Sequence, residues 1–285
     1  MKILVTGANG MLGSDLMARL KDSHEAVGVD IGDFDILDGQ GAIDHLALVR
    51  PDWVIHCAAF TNVDGCESEA GKAYRVNGDG ARNVALACLA AGSKMLYLST
   101  DYVYDGRKKT PYVETDPVGP LNIYGMSKLR GEEGVLDVLP GALVVRTSWL
   151  FGLNGPNFVE AILGQVGKKD ELRVVADQVG SPTYTLDLAD ALTRLVEAGA
   201  SGVVHVSNEG GCSWLEYAVK ILDISGVKGV SVVPITTAEL GRPALRPENS
   251  VLSKGRYRAV TGHRLRDWQE ALAEYIAKRR TRQAV

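Results

Sequence analysis

Short apolar runs alternate with longer segments of mixed polarity along the first half of the chain. The runs are rich in β-branched residues, which is typical of buried strands. They cover residues 2–6, 26–30, 53–58, 94–99 and 142–147. The segments between them repeat apolar positions every three or four residues, which predicts helices over 11–21, 40–50, 66–91 and 121–138. This alternation predicts an α/β fold with a doubly wound, parallel, Rossmann-like sheet.

The pattern becomes less regular after Trp149. We expect residues 1–150 to form a dinucleotide-binding domain and residues 151–285 to form mainly a smaller C-terminal substrate-binding lobe. Within the second part, we expect residues 171–175 and 230–235 to be less regular segments.

Two patterns in the second part predict helices. The first is Leu186–Val196, and the stretch of about 183–207 that contains it is expected to return to the first domain. The second begins at Ser213-Trp-Leu-Glu216, which has the spacing of a capping box. Because no flexible linker separates the two parts, we expect them to pack together over a cleft.

A glycine turn follows the first predicted strand directly. Gly7-Ala-Asn-Gly10-Met-Leu-Gly13 joins that strand to the first predicted helix. Without a Cβ, Gly7 can make a tight turn, Gly10 lets a pyrophosphate approach the backbone, and Gly13 allows close helix packing. The spacing is GxxGxxG rather than the GxGxxG of the usual dinucleotide fingerprint. The turn therefore predicts phosphate binding at the start of a helix.

An acidic residue ends the second predicted strand. Asp30 lies 20 residues beyond Gly10, where a carboxylate would accept hydrogen bonds from ribose hydroxyls and repel a 2′-phosphate. Between Asp30 and Lys72 the only basic residue is Arg50. The pattern favours NADH over NADPH, although either is compatible with it. Nearby Asp35-Ile36 could bracket an adenine or belong to a solvated acidic loop.

Tyr124 and Lys128 stand four residues apart in a predicted helix, so a phenol and an ammonium share one face. A neighbouring ammonium favours the ionised phenol, so we expect the pKa of Tyr124 to be brought into the working range of an acid or base. Tyr104 and Lys108 have the same spacing, but a turn signal at Asp105-Gly106 argues against a helix there. A tyrosine that simply packs on an amphipathic helix is the alternative for Tyr124.

Composition excludes several classes of function. A formal net charge of -4 and a pI of about 5.8 argue against a nucleic-acid partner. No apolar run approaches the roughly 18 residues that span a bilayer, so no membrane partner is expected. The four cysteines lack CxxC spacing and are expected to be reduced thiols in a cytoplasmic protein. The basic segment Lys278–Arg282 is expected to fray in solvent.

With the glycine turn, Ser99-Thr100 and Tyr124-Lys128, the sequence resembles the extended short-chain dehydrogenase/reductase family over its whole length. Five ordered blocks are similar to those of the dTDP-4-dehydrorhamnose reductases within that family. They are Ser99-Thr-Asp-Tyr-Val-Tyr-Asp-Gly106, Pro120-Leu-Asn-Ile-Tyr-Gly-Met-Ser-Lys-Leu-Arg-Gly-Glu132, Arg146-Thr-Ser-Trp-Leu-Phe-Gly152, Asp177-Gln-Val-Gly-Ser-Pro182 and Arg246-Pro-Glu-Asn-Ser250.

The resemblance implies reduction of the 4-keto group of dTDP-6-deoxy-L-lyxo-4-hexulose by NADH or NADPH to give dTDP-L-rhamnose for surface polysaccharide. It implies a catalytic set of Thr100, Tyr124 and Lys128, in which Tyr124 protonates the developing alkoxide and Thr100 hydrogen-bonds the same oxygen. Lys128 would hold the nicotinamide ribose and tune the phenol.

The resemblance also assigns binding residues on both sides of the reacting centre. On the cofactor side these are Met11, Leu12, Ala58, Ala59 and Thr61. On the substrate side, Val63 would touch the sugar, Tyr102 and Trp149 would flank it, and Arg246 would meet the diphosphate. Core packing for Trp149 and a surface position for Arg246 are the alternatives.

Some members of the family are homodimers that hold Mg²⁺ between acidic side chains at their interface, so a homodimer and an interfacial Mg²⁺ are compatible with the resemblance. Asp15 lies in the first predicted helix, where such a ligand could be supplied, but it is one methylene shorter than the expected glutamate. A solvated helix acid is the preferred interpretation, so no metal residue is assigned.

Two other functions stay open. A sugar-nucleotide 4-epimerase of the same fold would use the same catalytic set but retain NAD through its cycle. A non-catalytic subunit would resemble the methionine adenosyltransferase beta subunit. A dehydratase is disfavoured because Asp101 is followed by Tyr102 and not by a glutamate.

Overall fold

The computed structural model of the protein describes residues 1–283. Its strands, in chain order, are β1 (Lys2–Thr6), β2 (Glu25–Val29), β3 (Trp53–His56), β4 (Lys94–Thr100), β5 (Leu143–Thr147), β6 (Leu150–Phe151), β7 (Glu171–Val175), β8 (Val179–Gly180), β9 (Thr183–Tyr184), β10 (Gly202–His205), β11 (Cys212–Ser213) and β12 (Ser231–Ile235).

The helices are listed in the same order. They are α1 (Met11–Leu20), α2 (Gly39–Val49), α3 (Val63–Ser68), α4 (Ala70–Ala73), α5 (Ala81–Ala91), α6 (Ile123–Val138), α7 (Phe158–Leu163), α8 (Thr185–Glu197), α9 (Trp214–Ser225), α10 (Thr237–Leu240), α11 (Gly255–Thr261) and α12 (Trp268–Gln283), with a π-helix at Tyr74–Gly80 and a 3₁₀ turn at Asp101–Val103.

Six parallel strands form the central sheet in the order β10-β5-β4-β3-β1-β2. Helices cover both faces because side chains along each strand alternate between them. Ile3 of β1 packs in the cluster that contains Leu16 of α1 and Leu188 of α8. Its neighbour Leu4 packs on the opposite face with Leu46 of α2 and Val84 of α5. The predicted doubly wound parallel sheet is therefore confirmed.

The chain returns to this sheet late in the sequence. β10 hydrogen-bonds to β5 in parallel, with Val204 opposite Val145. α8 packs alongside α1 on one face of the sheet, where Leu192 and Leu195 are fully buried. The apolar face of the predicted helix at Leu186–Val196 thus completes the core of the first half of the chain.

A second, aromatic-rich core lies outside the sheet. Phe151, Tyr184, Tyr217, Trp268 and Tyr275 pack together there. The Ser213 hydroxyl accepts from the Glu216 amide and the Glu216 carboxylate accepts from the Ser213 amide, so the predicted capping box is confirmed.

Two expectations about this second part are wrong. Residues 171–175 and 231–235 are regular strands that pair in parallel along their whole length. The basic segment does not fray, because Lys278 pairs with Glu274 at 2.8 Å and Arg279 pairs with Glu160 at 2.6 Å. Glu274 is close to Lys278 in the sequence, whereas Glu160 reaches Arg279 only through the fold. These two ion pairs hold the basic segment within α12.

The predicted helix over 66–91 is interrupted. Two short helices, α3 and α4, and the π-helix at Tyr74–Gly80 precede α5. A π-helix rotates the side chains that follow it about the helix axis, relative to those that precede it. Such irregularities are frequent at functional sites. Within residues 1–283, no helix is both long and apolar enough to cross a bilayer.

Candidate active site

A cavity of about 970 Å³ lies at the carboxyl ends of the central strands. Five strands line it with their last residue or the residue that follows, namely Thr6, Val29, Cys57, Thr100 and Thr147. This edge is where parallel α/β sheets bind ligands. The cavity extends from the glycine turn after β1 to Trp149 and Trp214.

The glycine turn forms one wall of the cavity. Gly7 has a φ of +69°, and a Cβ at this position would lie 2.8 Å from the Ala58 amide nitrogen. A Cβ on Gly13 would overlap the Gly7 carbonyl oxygen, so side chains are excluded at both positions. α1 begins at Met11 without a side-chain cap on Gly10, which leaves its first amides available to a phosphate. Met11 and Leu12 line the cavity beside this turn.

The acidic end of β2 lies on the same wall. The Asp30 carboxylate accepts from the Asn9 amide at 3.1 Å and from the Ile31 amide at 2.9 Å. These bonds fix the carboxylate next to the glycine turn. Asp35 and Ile36 also line the cavity at this end.

Besides Lys128, two basic residues line the same cavity. They are Lys72, which pairs with Glu69 at 3.1 Å, and Arg75, which is exposed. Their distance from Asp30 in the sequence gave no indication that they share a cavity with it. Helix α4 and the π-helix bring both residues back to the cavity.

The segment after β3 supplies another group of predicted residues, all of which line the cavity. They are Ala58, Ala59, Thr61 and Val63. Asn77, buried in the π-helix, holds this segment by accepting from the Phe60 amide at 2.8 Å and donating to the Phe60 carbonyl at 3.0 Å. It also donates to Ser127 Oγ at 2.9 Å, which ties the segment to α6. No sequence pattern identified Asn77, because its partners lie 17 and 50 residues away.

Thr100, Tyr124 and Lys128 line the middle of the cavity. Thr100 ends β4, and its hydroxyl lies near the Tyr124 phenol, whose pKa it acts to lower. α6 carries the other two residues and begins where Asn122 accepts from the Gly125 amide at 2.8 Å. The strand end and the helix start thus bring together the three residues that the resemblance singles out.

The electrostatics of this group differ from expectation. Burial raises the pKa of the Tyr124 phenol well above its usual value, and the nearby Asp101 raises it further. Burial also lowers the pKa of Lys128 to about 7, while Glu132 acts in the opposite direction. The Lys128 Nζ lies 4.1 Å from the centre of the Tyr97 ring. The prediction that the pKa of Tyr124 is lowered is wrong, because loss of water around the phenol raises it. Tyr124 is therefore protonated, the form that a proton donor requires.

Two stacked indoles form the far wall. The rings of Trp149 and Trp214 lie 3.4 Å apart with an angle of 4° between their planes. Trp149 has a φ of +47°, a strained value for a bulky residue, and Gly180 leaves room for its ring. Trp214 was missed because the capping box places it on a helix without indicating what it faces. Tyr102 also lines the cavity and meets the Tyr124 ring edge-on at 6.0 Å.

Arg246 lies just outside the cavity lining. Its guanidinium pairs with Asp64 at 3.0 Å, and Arg242 pairs with the same carboxylate at 2.9 Å. Arg246 also hydrogen-bonds to Tyr102, which does line the cavity. All the other predicted site residues line the cavity, and Arg246 does not. Contact between Arg246 and a diphosphate stays a prediction.

The structure gives no support for a magnesium site at Asp15. Asp15 is 7% exposed and accepts from Thr185 Oγ1 at 2.5 Å and from Asn154 Nδ2 at 3.0 Å. The interpretation of Asp15 as a solvated helix acid is therefore wrong. Among residues 1–283, no group of three or more His, Cys, Asp or Glu side chains could hold a metal ion.

Comparison with known proteins agrees with this geometry. The family model described as the RmlD substrate binding domain matches residues 1–281. The spore coat polysaccharide biosynthesis protein SpsK of Bacillus subtilis is 44% identical over 281 residues, which cover 98% of each chain. The dTDP-4-dehydrorhamnose reductase of Streptomyces griseus is 44% identical over 278 residues, covering 95% of this chain and 91% of the relative.

Solved structures of similar proteins share the whole fold. A dTDP-4-dehydrorhamnose reductase from Clostridium acetobutylicum has a TM-score of 0.94 and 41% identity, covering 98% of this chain and 99% of that chain. The enzyme of the same name from Bacillus anthracis, solved in complex with NADP, has a TM-score of 0.94 and 39% identity. That match covers 97% of this chain and 99% of the other.

Proposed function

The chain belongs to the RmlD family, and from this premise we propose that it reduces the 4-keto group of dTDP-6-deoxy-L-lyxo-4-hexulose to give dTDP-L-rhamnose. It is an NAD(P)H-dependent sugar-nucleotide oxidoreductase. The observation that carries this assignment is that one cavity contains the glycine turn, the Thr100, Tyr124 and Lys128 group and the indole wall. A dinucleotide and a sugar can therefore meet at Tyr124.

When bound, the reduced nicotinamide would supply a hydride to C4 of the sugar. The protonated Tyr124 phenol would donate its proton to the C4 oxygen as negative charge develops there. Thr100 would donate a hydrogen bond to the same oxygen, and Lys128 would hold the ribose from the adjacent turn of α6. Thr100 and Lys128 are buried and Tyr124 is half-buried, which would limit the access of competing water once the ligands fill the cavity.

The coenzyme end of the cavity contains charges of both signs. The Asp30 carboxylate disfavours a 2′-phosphate, whereas Lys72 and Arg75 line the same cavity and favour one. We therefore propose that NADH and NADPH are both accepted, with Asp30 biasing the choice towards NADH. The NADP bound by the relative from Bacillus anthracis is consistent with acceptance of the phosphorylated form.

On the substrate side, Val63 would contact the sugar, and Tyr102 and Trp149 would flank it. Arg246 would reach the diphosphate by exchanging Asp64 for it, since guanidinium groups bind paired phosphate oxygens well. The relation to a spore coat polysaccharide protein supports a role in polysaccharide biosynthesis. A homodimer and a cytoplasmic location stay predictions.

The relatives named as reductases support reduction over 4-epimerisation and over a regulatory role. The test is to mix the purified protein with the ketosugar and NADH or NADPH and to follow the absorbance of the reduced coenzyme. Oxidation that depends on the ketosugar is expected. No oxidation with either coenzyme would exclude the reductase, and tightly bound NAD that never exchanges would favour the epimerase.

A further inference from the structure

Asp101 is a buried carboxylic acid that the proposed reaction has not yet used. It follows Thr100 at the end of β4, is 2% exposed and lines the cavity. The Asp101 carboxyl lies beside the hydroxyl of Thr100, a member of the catalytic group. Thr100 Oγ1 donates to Asp101 Oδ1 over 3.0 Å.

The hydroxyl of Thr100 has only one proton to donate. Its oxygen already accepts from the Tyr102 amide at 3.2 Å. An ionised carboxylate can only accept hydrogen bonds, so an ionised Asp101 directs the single Thr100 proton at itself and away from the substrate. Stabilising a C4 alkoxide requires that same proton to point into the cavity. The two demands are incompatible while Asp101 is charged.

We propose that Asp101 is a positioning residue that acts as a neutral acid, donating its carboxyl proton to Thr100 Oγ1 so that Thr100 donates to the C4 oxygen. This inference rests on the proposed function, because it concerns the same 4-keto reduction. Asp101 keeps its proton throughout turnover. The proton that ends on the product oxygen still comes from Tyr124, and no bond between heavy atoms is made or broken at Asp101.

The surroundings favour the neutral form. Burial raises the pKa of Asp101 to about 7, although the hydroxyls of Ser250 and Thr100 act in the opposite direction. The neighbouring titratable groups are the phenols of Tyr102 and Tyr124. An ionised Asp101 would add negative charge beside the developing alkoxide, and it already disfavours ionisation of Tyr124. Neutral Asp101 therefore removes two obstacles to proton transfer.

Two cations lie farther out in this region. Arg246 hydrogen-bonds to Tyr102 and is itself paired with Asp64. Lys128 is one helical turn beyond Tyr124, and its own pKa of about 7 places its titration in the same range. A pH profile of the wild type alone would not separate Lys128 from Asp101. The Ser250 hydroxyl acts to lower the pKa of Asp101 and does not belong to the cavity lining, so it offers a way to move the Asp101 titration alone.

The test compares kcat and kcat/KM from about pH 6 to about pH 9 for the wild type, Asp101→Asn and Ser250→Ala. In the wild type we expect the rate to fall above about pH 7, by about tenfold for each pH unit once Asp101 ionises. Asp101→Asn, which offers an N–H donor to Thr100 at every pH, should move that fall to higher pH. Ser250→Ala removes a hydroxyl that favours the Asp101 carboxylate and should also move the fall in rate to higher pH. Asp44→Asn, an exposed charge change on α2, should leave the profile unchanged.

Each result decides one question. An inactive wild type contradicts the proposed function and not the role of Asp101. An active wild type whose profile is matched by Asp101→Asn, or an Asp101→Asn variant that is folded but equally inactive at every pH, overturns the role of Asp101. If Asp101→Asn does not fold, as judged by circular dichroism, Ser250→Ala decides. An upward shift then supports the inference, and an unchanged midpoint overturns it.

Discussion

Glu132 and Arg146 form a bidentate ion pair directly behind the proposed active site. The guanidinium donates to the carboxylate through Nη2 at 2.6 Å and Nε at 2.9 Å, with side chains 3% and 5% exposed for Glu132 and Arg146. Ser99, which precedes Thr100, donates to Glu132 at 2.5 Å. Because Glu132 is one helical turn after Lys128, the pair joins β4, β5 and α6 where they supply the catalytic group.

Removing one partner of this pair should be costly. Glu132→Gln leaves the Arg146 charge buried without its counter-ion, so we expect the free energy of unfolding in urea to fall by about 3–5 kcal/mol. Asp79→Asn breaks the exposed Arg130–Asp79 pair and should cost about 0–1 kcal/mol. If both variants lost the same free energy of unfolding, the buried Glu132–Arg146 pair would stabilise the fold no more than the exposed pair does.

Tyr124→Phe removes the proposed proton donor while preserving the ring. We expect kcat to fall by about 10²–10⁴-fold with little change in the affinity for NADH measured by fluorescence titration. Tyr74→Phe removes a hydroxyl outside the cavity lining and serves as the control. Near-normal turnover by Tyr124→Phe would require another acid.

Asp30→Asn tests coenzyme choice. Loss of the charge beside Asn9 should raise kcat/KM for NADPH relative to NADH by about tenfold, which corresponds to about 1.4 kcal/mol. The reverse change, a fall in the NADPH to NADH ratio, would show that Asp30 does not repel the 2′-phosphate. Arg75→Ala should lower the same ratio if this exposed guanidinium assists the phosphate.

Trp214→Leu removes the ring that stacks on Trp149. Aromatic pairs contribute about 0.5–1.5 kcal/mol beyond their burial, so the KM for the ketosugar should rise by about two- to tenfold. The Kd for NADH, measured on the same preparation, should not change. If only the Kd for NADH changed, the indole wall would lie against the coenzyme and not against the sugar.

Two buried histidines should make stability depend on pH. Burial lowers the pKa of His56 and of His205 to about 3, with Lys128 and Arg146 acting in the same direction. Both have a folded pKa below the unfolded value of about 6.5, so the unfolded state binds more protons and stability falls as pH drops below about 6.5. Each contributes up to about 1.4 kcal/mol per pH unit, and Asp101, with its raised pKa, opposes them.

The measurement is urea unfolding of the wild type and His205→Gln between about pH 5 and about pH 6.5, where ordinary carboxylates are still ionised. The variant should show a smaller dependence on pH by about one proton. Identical slopes would show that His205 is not neutral in the folded state.

Local patterns predicted the fold well and the electrostatics poorly. Strand and helix periodicity located β1 to β5, and the glycine spacing located the phosphate-binding turn, because both depend on neighbouring residues. The protonation of Tyr124 depends on burial by distant segments, which no spacing reveals. Lys72 of α4 and Arg75 of the π-helix line the same cavity as Asp30, and Asp15 is buried next to Thr185, which lies 170 residues away. These features arise only when the chain is folded.

The destination of the hydride tests the proposed reaction most directly. The protein should be incubated with the ketosugar and NADH that carries deuterium at both C4 positions of the nicotinamide, and the product examined by NMR. We predict that the product is dTDP-L-rhamnose with one deuterium at C4 of the sugar and that Tyr124→Phe forms it much more slowly. A product without deuterium at C4, or with deuterium elsewhere on the sugar, would contradict hydride transfer to C4 beside Tyr124.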